Sequence, residues 1–118
     1  MGDFQKLKVW KRAKNLAVSI YKTTDKGPLL KDYGLRDQVR RSAVSIPSNI
    51  AEGDELGTNR QAIKFFRISK GSAAELLSLA IIAHEIDYLT KPQFEQIKEE
   101  CQAISSMLAK LIQVRAKD

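Results

Sequence analysis

Apolar and polar positions recur along this chain with helical spacing, and four long helices follow from them. The first covers residues 4–23, where Lys8, Arg12, Asn15, Ser19 and Lys22 fall on one narrow polar stripe. Leu7, Val9, Trp10, Ala13, Leu16, Ala17, Ile20 and Tyr21 fill roughly 200° of the remaining arc, about twice what packing against one core requires. In the second helix, residues 35–52, Leu35, Val39, Ala43, Ile46 and Ile50 step by four, four, three and four. Pro47 lies inside that pattern. It removes one amide donor and crowds the carbonyl of Ala43, which predicts a kink, with Ser45, Ser48 and Asn49 near enough to satisfy the freed groups. Gly53 is placed to close the helix as a left-handed cap, and Gly57 marks the turn beyond it.

The third helix covers residues 59–89, opened by the capping pair Thr58 and Gln61. Its polar stripe is confined to Arg60, Lys64, Arg67, Gly71, Ser78 and Glu85, and apolar residues occupy nearly everything else. A helix so apolar must be covered on most sides. The fourth covers residues 92–115, after a second capping pair, Thr90 and Gln93, with Pro92 in the first turn. Phe94, Ile97, Cys101, Ile104, Leu108 and Leu111 repeat every seven residues, the seam of left-handed bundle packing. Short connections make neighbours antiparallel. The chain therefore reads as one all-α domain over residues 1–118, an antiparallel up-and-down four-helix bundle. Residues 24–34, with Gly27-Pro28 and Tyr33-Gly34, read as turn chemistry and the most mobile connection. The apolar excess on the first and third helices predicts a second buried surface, and so an oligomer.

Composition adds compartment and charge. One cysteine forms no internal disulfide, no apolar run follows a basic start, and the most apolar stretch, residues 76–83, falls far short of the ~20 residues that span a bilayer. A soluble cytoplasmic protein with no membrane partner is expected. The net charge of +6 is uneven: residues 1–41 hold 11 Lys/Arg against four acids, while the remainder holds nine against ten. That asymmetry points to a polyanion such as RNA or DNA, against the plainer reading of a lysine-rich solvated surface.

Catalytic chemistry finds little support. Cys101 lies on the heptad seam as a packed thiol, and His84 sits among apolar residues. No second soft ligand accompanies them, no Glu-x-x-His pattern occurs, and no glycine-rich phosphate loop is present. A helical-bundle ribonuclease would place an arginine a few residues before a histidine, whereas Arg67 precedes His84 by 17. No enzyme, metal or cofactor is expected. Arg41 stands one turn after Asp37, an ordinary surface pair. Arg36 and Arg40 repel one another beside the apolar face, so something must compensate: an ion pair with an acid such as Glu52, Glu75 or Glu85, or phosphates gripped together with helix-one cations. Lys8, Lys11, Arg12, Arg36, Arg40 and Arg41 are the candidate nucleic-acid contacts.

The run Tyr33-Gly34-Leu35, followed by Gln38 through Gly53 (QVRRSAVSIPSNIAEG), resembles the signature of the four-helix-bundle family encoded in intervening sequences of bacterial 23S ribosomal RNA genes. Val9-Trp10-Lys11-Arg12-Ala13, Gly71-Ser72-Ala73-Ala74-Glu75-Leu76, Tyr88-Leu89 and Phe94 extend the likeness over nearly the whole chain. Within the signature, Ile46, Pro47, Asn49, Ile50, Glu52 and Gly53 are expected to be structural. The resemblance implies a homopentameric barrel of antiparallel bundles. It also implies kinship with the accessory variability determinant of diversity-generating retroelements, a basic protein that binds a reverse transcriptase and nucleic acid. This chain departs from the family after Gly53, where Asp54-Glu55 stand in place of the common basic residues and speak against that loop gripping phosphate. The expected function is a homo-oligomeric, non-enzymatic accessory protein that binds nucleic acid; the alternative is a scaffold for other proteins.

Overall fold

The computed structural model describes residues 3–117. A 3-10 turn, Phe4–Lys6, leads into α1 (Lys8–Thr23), a short α2 (Gly27–Lys31), α3 (Tyr33–Glu55), α4 (Asn59–Glu85) and α5 (Lys91–Ala116). The four long helices pack as a bundle in the cyclic order α1, α3, α4, α5. The all-α four-helix bundle read from periodicity is the fold observed.

The core is built from the predicted apolar faces. Leu16 and Ile20 of α1, Ile46 and Ile50 of α3, Phe66 and Leu76 of α4, and Ile104 and Leu108 of α5 are almost wholly buried. The α5 heptad seam lies against them, with Ile97, Cys101, Ile104 and Leu108 buried and Phe94 and Leu111 packed at its ends. Both capping pairs form: Thr58 Oγ1 accepts from the Gln61 amide at 3.3 Å. Thr90 does the same for Gln93, and the Gln93 side chain returns to the Thr90 amide at 2.9 Å.

Several boundaries differ from expectation, each for a local reason. The turn expected over residues 24–34 folds into α2, because Pro28 suits a first helical turn and Leu29 supplies a buried anchor. Then Asp32 starts α3 two residues early, its carboxylate accepting from the Leu35 amide at 3.1 Å. The last turn of α4 gives way at Glu85, and Asp87 adopts a left-handed φ of 63° while the amides of Tyr88 and Leu89 both turn back to the Ala83 carbonyl. Pro47, by contrast, leaves α3 continuous, as the apolar pattern running through it predicts. Ser69 Oγ donates to the Ile46 carbonyl at 2.8 Å, and Asn49 Nδ2 donates to the Ser45 carbonyl at 2.8 Å. Ser48 stays exposed.

Gly53 is the clearest correction. It is helical, not a left-handed cap, and α3 continues through it to Glu55. A Cβ there would lie 2.9 Å from the Phe66 ring and 3.1 Å from the Ala62 carbonyl, so the glycine lets α3 and α4 approach closely. The turn between those helices is made instead at Gly57, with φ of 79°.

Candidate nucleic-acid interface

The arginines expected to face phosphate are largely held by the bundle itself. Arg12 forms a two-pronged pair with Glu100, Nε to Oε1 at 2.8 Å and Nη2 to Oε2 at 2.9 Å, joining α1 to α5. That hydrogen bonding raises the Arg12 pKa and lowers that of Glu100 from its ordinary value, outweighing the opposing cost of burial.

Arg36 and Arg40 resolve their mutual repulsion without Glu52, Glu75 or Glu85. Arg40 Nε donates to Thr24 Oγ1 at 2.8 Å, and its guanidinium lies 4.6 Å from the Tyr21 ring centre, with Asp25 at 4.0 Å. Thr24 in turn donates to the Ile20 carbonyl at 2.7 Å. The pair closes the C-terminus of α1, where a cation complements the helix dipole. Arg36 does the same for α2, donating to the Leu30 carbonyl at 3.2 Å and pairing with Asp37 at 3.2 Å, over the Tyr33 ring. Asp37 therefore belongs to Arg36, not to Arg41 one turn away. Arg41 is exposed beside Gln38 and Glu75 on a shallow groove between α3 and α4. Arg12, Arg36 and Arg40 thus sit in three separate structural contacts, and the single cluster expected of them with the helix-one lysines does not assemble.

Most of the signature residues lie in packing contacts. Ile46 and Ile50 are fully buried, Pro47 is buried, Asn49 bonds Ser45, and Gly53 seats Phe66. Glu52 is exposed.

The chain's fold then gathers charge that the sequence scatters. Gly53 packs against Ala62, and Arg115 reaches Asn59 and Asp54, so the end of α3, the start of α4 and the end of α5 meet at one end of the bundle. Antiparallel packing against α3 directs the start of α1 the same way. The half made of residues 3–15, 44–72 and 103–117 carries 12 Lys/Arg against four acids, while residues 16–43 and 73–102 carry eight against nine. Lys8, Lys11 and Lys14 of α1 are exposed there, and among the described residues none is ion-paired. Arg60, Lys64 and Arg67 join them; the sequence showed these only as a polar stripe, and the antiparallel topology reveals their neighbours.

Apolar surface remains uncovered on two faces. Val18, Tyr21 and Val44 line an open groove of about 380 Å³ between α1 and α3, floored by Ala17 and Pro47. On α4, Ile68, Ile82 and Ile86 stand exposed along one side of the helix, with Ile82 49% exposed. His84 stacks on Phe94 with centroids 4.6 Å apart, and burial pushes the Cys101 thiol up to about 12. No helix among the described residues is long and apolar enough to cross a membrane, and no group of three or more His, Cys, Asp or Glu among them is placed to hold a metal.

Fold and surface together define a four-helix-bundle protein with one basic end and uncovered apolar faces. Residues 5–110 match the family model of the 23S rRNA-intervening sequence protein, and the chain belongs to that family. Its structure is similar to the crystal structure of a protein of unknown function from the S23 ribosomal protein family of Bacteroides thetaiotaomicron VPI-5482. The TM-score is 0.80 at 25% identity, over 88% of this chain and 97% of that one. No curated protein matches the chain.

Proposed function

We propose that this protein is a homo-oligomeric, non-enzymatic accessory protein that binds nucleic acid through the basic end of its bundle. The segregation of charge carries the reading: one half holds 12 cations and four acids, and the other half is nearly neutral. Among those cations Arg12 and Arg115 are paired, with Glu100 and Asp54. A body so divided attracts a polyanion by one end, through phosphate contacts and with little sequence preference. Lys8 and Lys11 remain contacts in this reading. Arg12, Arg36 and Arg40 take structural roles, and Arg41 lies in the other half. The α1–α3 groove and the α4 stripe are different faces. Contacts between unlike faces of identical subunits build rings where the rotation between subunits closes, and the pentamer that the family resemblance implies is such a ring. A ribosomal RNA or reverse-transcriptase setting follows from the same kinship.

A gel shift with a structured RNA and a duplex DNA at about 50 and about 200 mM salt tests the binding. Affinity should fall steeply between the two, at about 0.7 to 0.9 log units per phosphate neutralised for each log unit of salt. Absence of binding at the lower salt would remove nucleic acid from the reading and leave a protein scaffold.

A further inference from the structure

At the basic end, the first turns of α4 and the last turn of α5 enclose an open groove of about 1070 Å³. Arg60, Lys64, Arg67 and Arg115 line it, with Thr58 at one end and Ile63 as an apolar wall. We infer that this groove is the seat for consecutive phosphates of one nucleic-acid strand, an inference that rests on the nucleic-acid reading above.

Three observations support this assignment. Arg60, Lys64 and Arg67 stand at i, i+4 and i+7 of α4, so they project from one face, all exposed. Along the helix axis Arg60 and Arg67 are ~10 Å apart, a length that covers about two neighbouring phosphates of one strand. Among the described residues none of the three is paired with a carboxylate, so their mutual repulsion stands uncompensated.

Arg60 also violates a local rule. The first turn of α4 contains no acid, and Arg60 sits there at the positive end of the helix dipole, where an anion is favoured and a cation is not. A bound phosphate would relieve both the dipole and the like-charge repulsion. Such unfavourable local choices concentrate at functional sites.

Arg115 is prepared differently. Its guanidinium donates to Asp54 Oδ1 at 3.2 Å and Asn59 Oδ1 at 3.4 Å, and lies 5.6 Å from the centre of the Phe66 ring. Asp54, which the sequence set against phosphate binding, is buried with a side chain only 5% exposed. One oxygen of that carboxylate fixes Arg115, while Oδ2 is buried without a hydrogen-bond partner among the described residues. The groove thus sets a hydrogen-bonded guanidinium beside a row of three exposed cations, unpaired among the described residues.

The test compares the full chain with two triple variants, using a fluorescein-labelled RNA stem-loop and a duplex DNA of equal length. Arg60→Ala/Lys64→Ala/Arg67→Ala removes the exposed row and spares Arg115, whose loss would strand Asp54. Lys22→Ala/Lys26→Ala/Lys31→Ala removes the same charge from the opposite half. The α4 variant should bind at least tenfold more weakly at about 50 mM salt, with a salt slope shallower by about two to three, while the second variant stays near the parent. An α4 variant that binds with the parent's affinity and slope, or equal losses in both variants, overturns the groove and leaves the function proposed above intact. A parent protein that binds neither probe overturns that function as well. Helical circular dichroism and molar mass by light scattering establish that each variant keeps its fold and assembly.

Discussion

Arg12 and Glu100 lie 88 residues apart in sequence and meet through two parallel hydrogen bonds of 2.8 and 2.9 Å. The Arg12 side chain remains 41% exposed, so the pair is worth about 0.5 kcal/mol, within the range for solvent-screened pairs. Glu100→Gln should lower stability by about that amount at neutral pH. Because the folded pKa of Glu100 is depressed, its contribution is fully present above the unfolded carboxylate pKa and is lost as pH falls through the lower folded value. Urea melts of parent and variant should therefore differ at pH 7 and converge in acid. A gap that persists at low pH would contradict the pairing.

Gly53 and Gly71 make a matched comparison. Gly53→Ala drives a methyl to 2.9 Å from the Phe66 ring and should destabilise the bundle by about 1 to 3 kcal/mol. Gly71 lies inside α4 with nothing within 4 Å of a built Cβ, so Gly71→Ala should stabilise by about 0.5 to 1 kcal/mol. Denaturant midpoints for the two variants should move in opposite directions.

Cys101 is held inert by burial, with its thiol pKa pushed up to about 12 by desolvation first and by Glu100 second. The thiolate is the reactive form, so a maleimide at pH 8 should leave the folded protein unlabelled and modify it stoichiometrically once denatured. Mass spectrometry reads both states. Rapid labelling of the native chain would show that the α5 seam opens.

Ile82 tests the proposed assembly. It is 49% exposed on the α4 stripe, so Ile82→Asp should leave the subunit fold unchanged by circular dichroism. Light scattering should show a mass reduced towards that of one chain, since a charge in an apolar contact opposes association. An unchanged oligomer would place the contact elsewhere.

Much of this architecture was legible because helices announce themselves by period. The α5 seam from Phe94 to Leu111 and the buried steps of α3 at Val39, Ala43, Ile46 and Ile50 stand where their spacing put them. Gly53 was misread because a glycine at a helix end and a glycine at a helix crossing look alike until the opposing ring of Phe66 is known. Arg36 and Arg40 were misread for a related reason. Apart from Asp37, which the sequence set against Arg41, their closest partners are the Leu30 carbonyl and Thr24, groups at helix ends that no charge pattern marks. The candidate site was half visible. Lys8 and Lys11 were legible as exposed cations, but Arg60, Lys64 and Arg67 lie in a stretch whose linear charge balance is negative. Only antiparallel packing, which sets them beside Arg115, separates them from the acids of residues 75–100.

The uneven halves have a consequence for motion as well as for contact. The bundle is 46 Å long, several times the ~8 Å screening length of physiological salt. A polyanion therefore senses only whichever end is near it. A subunit arriving with its neutral end forward feels almost nothing and drifts away, while one arriving basic end first is drawn in. The geometry acts as a filter on orientation during encounter, before any particular side chain has touched its partner.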